Sequence, residues 1–99
     1  VPGQTSLQQN YPNPFNPSTT IEYDLGFVDG PYQRVNVTIY DIMGRNIKTL
    51  VNDEKSIGRY NVRWNGKDQN EVQVASGVYF VHLTTDMGRS QTKKIMLMR

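Results

Sequence analysis

The chain has 99 residues, a net charge of +2 and no cysteine, and 36% of its residues are hydrophobic. That length suits one domain with a single core and not two lobes around a cleft. The lack of thiols excludes disulfides, thiolate metal sites and thiol nucleophiles, and no run of about 18 apolar residues is available to cross a membrane as a helix.

Residues 1–6, Val-Pro-Gly-Gln-Thr-Ser, read as linker, and residues 7–99 read as the folded domain. A charged stretch followed by an apolar one is missing at the start, so any signal peptide is expected upstream, in a longer protein. The stretch Gln9-Asn10-Tyr11-Pro12-Asn13-Pro14-Phe15-Asn16-Pro17-Ser18-Thr19-Thr20-Ile21 carries no charge and interleaves prolines and asparagines with two aromatics. Proline fixes φ and pushes the residue before it toward extended geometry. The segment therefore reads as a rigid, extended lead-in, with Tyr11 and Phe15 docked on a core.

From there the pattern has period two. Thr19–Leu25 places Ile21, Tyr23 and Leu25 on one face, and Val35–Asp41 places Val35, Val37 and Ile39 inward. A shorter strand, Asn46–Val51, follows the turn Asp41-Ile42-Met43-Gly44-Arg45, and Asp53–Ile57 suggests one turn of helix. Arg59–Trp64 turns Tyr60, Val62 and Trp64 inward. Gly77–Thr85 is apolar on both faces, which predicts a central strand with one face partly covered. Ser90–Met98 closes the chain with Ile95 and Leu97 inward. Asp29-Gly30-Pro31, Met43-Gly44, Asn65-Gly66 and Met87-Gly88 supply tight turns between these runs. The whole predicts an all-β fold, an immunoglobulin-like antiparallel β-sandwich of about seven strands. It has no Cys…Trp…Cys pattern, so an antibody-type domain is excluded.

Charge is unevenly spread. Residues 1–21 carry none, whereas residues 89–99 carry Arg89, Lys93, Lys94 and Arg99 with no acid. Such a strand is a solvated face or a docking patch. Four cations among core-forming residues are too few for a phosphate-tracking stripe, so nucleic acid is not an expected partner.

Catalysis has little to stand on. His82 is the sole histidine and sits in a strand, and Ser76 and Ser90 lack partners for a triad. Asp24, Asp41 and Asp68 fall at strand ends and turns, where such side chains accept local backbone N–H groups. Loop 65–71 groups Asn65, Asp68, Asn70 and Glu71, oxygen donors of the kind Ca²⁺ takes. Lys67 in their midst and the broken alternation favour a polar loop, leaving Asp68 and Asn70 as weak metal candidates and no cofactor expected. Trp64 as an exposed platform would bind carbohydrate; its phase with Tyr60 and Val62 favours the core instead.

Three blocks in order carry a family resemblance: the Gln9–Ile21 segment; Ile39-Tyr40-Asp41-Ile42-Met43-Gly44-Arg45 followed by Leu50-Val51; and Trp64-Asn65-Gly66-Lys67-Asp68 with Val74-Ala75-Ser76-Gly77-Val78-Tyr79-Phe80 and the ending Thr92–Leu97. From about Leu7 to Arg99 the chain resembles the type A C-terminal sorting domain of the type IX secretion system of Bacteroidetes. The later blocks are also similar to the Ig-like domain of flagellar hook-capping proteins. The resemblance implies a non-catalytic, monomeric signal at the end of an exported cargo protein, carried through the periplasm and an outer-membrane translocon to the surface or medium. It implies shuttle and translocon proteins as partners, and a surface sortase cutting around Val1–Leu7. It assigns recognition to Lys93, Lys94, Ile95, Leu97 and Arg99, and structural roles to Pro12, Asn13, Pro14, Trp64, Gly66, Gly77 and Tyr79. The alternative classes are a carbohydrate- or protein-binding accessory module and a hook-capping scaffold. Asn65 stands where the family commonly has Asp, and His82 where an aromatic or basic residue is usual. Glu71 stands where a glycine often follows in the next turn, with Asn70 expected to take the left-handed conformation so that the turn survives.

Overall fold

The computed structural model describes residues 4–26 and 30–99. The first half of the expected linker and Asp29 of the expected turn lie outside the described residues. Seven strands follow in chain order: β1 (Ser6–Leu7), β2 (Thr19–Leu25), β3 (Gln33–Asp41), β4 (Asn46–Lys55), β5 (Gly58–Trp64), β6 (Gly77–Thr85) and β7 (Ser90–Leu97). They form two antiparallel sheets, one in the order β1-β2-β5 and the other β4-β3-β6-β7. The fold is all-β, with no helix among the described residues.

The alternation read from the sequence builds the layer between the sheets. Ile21, Tyr23, Leu25 and Trp64 from one sheet meet Val35, Val37, Ile39, Val81, Leu83, Ile95 and Leu97 from the other, all buried. Each such aliphatic side chain withdrawn from water contributes about 1.5–3 kcal/mol. Val62, expected inward, is only half-buried, because β5 is an edge strand. Asp53–Lys55 continue β4 instead of turning helical: Lys55, Glu54 and Asp53 pair with Gln33, Arg34 and Val35, so ladder bonds outweigh a short helical turn. The chain then crosses between sheets at Ser56 and Ile57.

The lead-in departs further from expectation. It is bent and not extended, with bends over residues 12–14 and 16–17, and its Tyr11–Pro12, Asn13–Pro14 and Asn16–Pro17 peptide bonds are cis. Asn10 is buried and donates from Nδ2 to Pro12 O at 3.1 Å and Thr19 Oγ1 at 3.0 Å, which folds the segment back on β2. Tyr11 forms an antiparallel bridge with Thr20, an outward position of β2, so its ring points out and is 81% exposed. Phe15 does dock, at 1% exposure. The chain is tied down even before Leu7. Thr5 Oγ1 accepts the Gly26 N–H at 3.1 Å, and Ser6 pairs with Asp24.

Trp64 organises one end of the sandwich. It is fully buried, 5.6 Å from the Phe15 ring and 5.4 Å from that of Tyr79, and its Nε1–H donates to Lys67 O at 2.9 Å. A stacked sugar has no access to it, so the Trp64 carbohydrate platform is ruled out. Gly66 follows with φ 74°, a left-handed conformation that glycine adopts without penalty. A Cβ there would lie 2.8 Å from the Arg99 guanidinium and 3.0 Å from Pro17 O. Tyr79 donates from its hydroxyl to Ala75 O at 2.7 Å, just before Gly77 opens β6.

Candidate recognition surface

β7 is an edge strand paired on one side with β6. Ile95 and Leu97 point into the core and are fully buried. Lys93 shares their phase and is half-buried, whereas Lys94 and Met96 point to the outer face and are exposed. Among the described residues neither lysine forms an ion pair.

The other edge of β7 is covered by the uncharged lead-in. Phe15 forms a parallel bridge with Leu97: its N–H donates to Met96 O at 3.0 Å and its carbonyl accepts the Met98 N–H at 2.9 Å. Asn13 Oδ1 accepts the Met96 N–H at 3.1 Å, and Gln9 Nε2 donates to Lys94 O at 3.0 Å. Further along, Gln91 Oε1 accepts the Leu7 N–H at 2.7 Å. Amide side chains thus stand in for strand backbone, which explains a segment rich in Asn and Gln and free of charge. Pro12 and Pro14 are exposed on either side of Asn13. Because β1 and Tyr11 pair with β2 while Phe15 pairs with β7, the segment joins the two sheets along one side.

The structure does not gather the terminal cations into one patch. Lys93 and Lys94 point to opposite faces of β7. Arg99 turns its guanidinium to backbone carbonyls, with Nε 2.8 Å from Val74 O and Nη2 2.5 Å from Gly66 O, while its N–H donates to Ser76 Oγ.

The acidic candidates are occupied locally. Asp68 Oδ1 accepts the N–H groups of Asn70 and Val72 at 2.8 and 3.0 Å, the arrangement of a self-capping turn. The left-handed residue of that turn is Glu71, at φ 62°, and not Asn70. The Glu71 carboxylate reaches Lys48 Nζ at 2.9 Å, and this bond and charge hold it below the usual carboxylate range. Asp41 caps its turn through the N–H groups of Met43 and Arg45, both at 2.9 Å, and pairs with the Arg45 guanidinium at 2.8 Å. The Arg45 N–H bond is the main reason its carboxyl is lowered, with the guanidinium and Met43 adding to it. Asp24 differs from the expected turn cap: it is 6% exposed and held across the strands by Arg59 at 2.8 Å. Among the described residues no three acidic or histidine side chains cluster as metal ligands do.

Comparison with known families assigns this architecture. The model of the secretion system C-terminal sorting domain matches residues 9–98, and the chain belongs to that family. No curated protein sequence matches it. Among solved structures, PorZ, an essential bacterial surface component of the type IX secretion system of Porphyromonas gingivalis, is 25% identical with a TM-score of 0.60. The match covers 96% of this chain and 11% of PorZ. Dimeric latent PorU from the same organism is 22% identical with a TM-score of 0.68, over 98% of this chain and 10% of PorU. The DNA-bound alkylpurine DNA glycosylase AlkC of Pseudomonas fluorescens shares the fold at 16% identity and a TM-score of 0.61, over 96% of this chain and 30% of AlkC. The chain thus spans about a tenth of the PorZ and PorU chains.

Proposed function

We propose that the domain is a non-catalytic, monomeric secretion signal that routes a cargo protein joined to its N-terminal side through the type IX outer-membrane translocon to the cell surface or medium. The observation that carries this reading is the family match over residues 9–98. Translocon or shuttle proteins read the terminal strand, where Lys94 is displayed outward while Ile95 and Leu97 anchor the strand below it. Lys93 and Arg99 flank that point, and a surface sortase cuts before the sandwich, around Val1–Leu7. No cofactor takes part.

The test is a reporter carrying a periplasmic signal peptide and this domain at its C-terminus, expressed in a host with type IX secretion. Export of the fusion and periplasmic retention of the bare reporter are expected; retention of both removes the reading. Lys93→Ala with Lys94→Ala should change stability by about 1 kcal/mol or less, because Lys94 is exposed and Lys93 is half-buried with no ion pair to lose among the described residues. The double variant should nevertheless impair export. Normal export of this variant, once its folding is verified, would leave the basic strand a solvated face.

A further inference from the structure

The outer face of the four-stranded sheet is polar along most of its length. Cross-strand rows place Asn52, Asn36, Thr84 and Ser90 side by side, then Thr49, Thr38, His82 and Thr92. The next row reads Asn46, Tyr40, Phe80 and Lys94, and beyond it Val78 stands beside Met96. Tyr40, Val78 and Phe80 are part-exposed and Met96 is 37% exposed. The apolar outer face of β6 is therefore left part-exposed at this end. An outward aromatic position in a two-layer sandwich adds nothing to the core between the sheets, so a cluster of them points to contact with something else.

The patch continues past Val78 into a shallow groove shared with Ile42 and Met43, which are 70% and 75% exposed on the turn that Asp41 caps. Its electrostatics are one-sided. Asp41 is paired with Arg45 and Glu71 with Lys48, whereas Lys94, at the end of the Tyr40–Phe80 row, has no carboxylate partner among the described residues.

We propose that this face, built on Tyr40, Val78, Phe80 and Met96 and edged by Lys94, docks a partner-protein surface with an apolar centre and carboxylates at its margin. The aromatic pair supplies the anchor, and the unpaired cation orients the encounter and rejects basic surfaces. The inference rests on the sorting role proposed above and names the face that a type IX component grips. That face is a composite of β3, β6 and β7, so the last strand alone does not make it.

The test uses the same exported reporter fusion, with thermal unfolding of each purified variant. Tyr40→Thr with Phe80→Thr keeps β-compatible residues at outward positions and should lower export by about tenfold or more, the loss expected of two anchor residues. Lys94→Glu should lower export comparably, and Asn61→Thr, on the outer face of the other sheet, should leave it unchanged. Should the double variant lose its fold, Met96→Gln carries the test in its place. Export of the wild-type fusion with undiminished export of the patch variants would overturn the docking face while sparing the sorting role. Retention of the wild-type fusion would instead sink the sorting role and this inference with it. Normal export of Lys94→Glu would overturn the carboxylate-edged partner. Sedimentation showing a dimer of the isolated domain that Phe80→Thr dissolves would assign the face to a second copy and overturn the proposal.

Discussion

At the β7 edge of the four-stranded sheet, residues 9–15 lay two backbone bonds and the amides of Gln9 and Asn13 against the last strand, with Phe15 buried beneath. At the β4 edge the cover is shorter and wetter. The Gln69 N–H donates to Ile47 O at 3.1 Å and Lys48 meets Glu71, both near the start of a ten-residue strand. Two register shifts against β3, at Ile47 and Leu50, bulge that same half of the strand, and Asp53, Glu54 and Lys55 charge its far end. An exposed ladder must be blocked against stray pairing, and either covering it or bulging and charging it will serve. The two solutions differ in energy. An apolar anchor holds the first, whereas exposed polar contacts hold the second and contribute little each.

The strongest way to break this contrast is to remove the anchor. Phe15→Ala should cost about 3–5 kcal/mol, the range for emptying a buried aromatic site. Urea unfolding should show a lower midpoint with an unchanged slope. The Met96 and Met98 amides should also lose protection from hydrogen exchange. A loss below about 1 kcal/mol would mean that β7 stands without its cover and that the two edges are alike.

The second test exploits burial near the β4 side. The Tyr23 hydroxyl is pushed up to about 12, first by burial and then by the neighbouring Tyr60 and Asp53. Tyr60 stacks on Tyr23 at 5.6 Å and donates to Ser56 O at 2.8 Å, beside the β4–β5 crossing. A raised folded pKa stabilises the domain fully below the unfolded value near 10, and that share is lost as pH rises from 10 through 12. Two units correspond to about 2–3 kcal/mol. Alkaline unfolding followed by fluorescence should show this slope, and Tyr23→Phe should flatten it. Tyr79, on the Phe15 side, is raised by burial too, and Tyr79→Phe should flatten the slope less. The reverse order would place the alkaline weakness on the Phe15 side.

The strands and the core were legible because alternation is a local signal. Ile21, Tyr23, Val35, Val37, Ile39, Trp64 and Leu97 all face inward as their phase predicts. What escaped the sequence is long-range pairing. Nothing in Asn13 or Gln9 announces a strand more than eighty residues away, and Tyr11 and Phe15 look alike until the bridges to Thr20 and Leu97 send one ring out and the other in. Asp24 reads as a strand-end acid until the antiparallel register sets Arg59 opposite it. The terminal lysines were legible in phase, but the apolar face beside Lys94 needs the cross-strand rows of three strands to be seen.

Between these extremes, Asn13→Ala isolates the side-chain part of the β7 cover. It deletes the acceptor of the Met96 N–H and leaves the Phe15 bonds in place, so the expected cost is about 1 kcal/mol. Exchange of the Met96 amide should speed up while that of Met98 holds. Equal acceleration of both would show that Asn13 and Phe15 act as one unit.

The smallest expected effect lies at the β4 edge, with Glu71→Gly. Glu71 holds φ 62°, a conformation that costs a side chain bearing Cβ and costs glycine nothing. Against that gain stand the exposed Lys48 contact, which is lost, and the larger unfolded-state entropy of glycine. Because the ion pair is solvated, relief of the backbone should win narrowly, and the melting temperature should rise slightly. Salt separates the two contributions. Screening weakens the wild-type pair and leaves the backbone unchanged, so the advantage of the variant should widen at about 1 M salt, where the Debye length is about 3 Å. A clear fall in melting temperature at low salt, recovered in part by salt, would show that the Lys48–Glu71 pair holds the β4 cover in place. The two edges would then differ in the kind of anchor, apolar on one side and ionic on the other, and no longer in its strength.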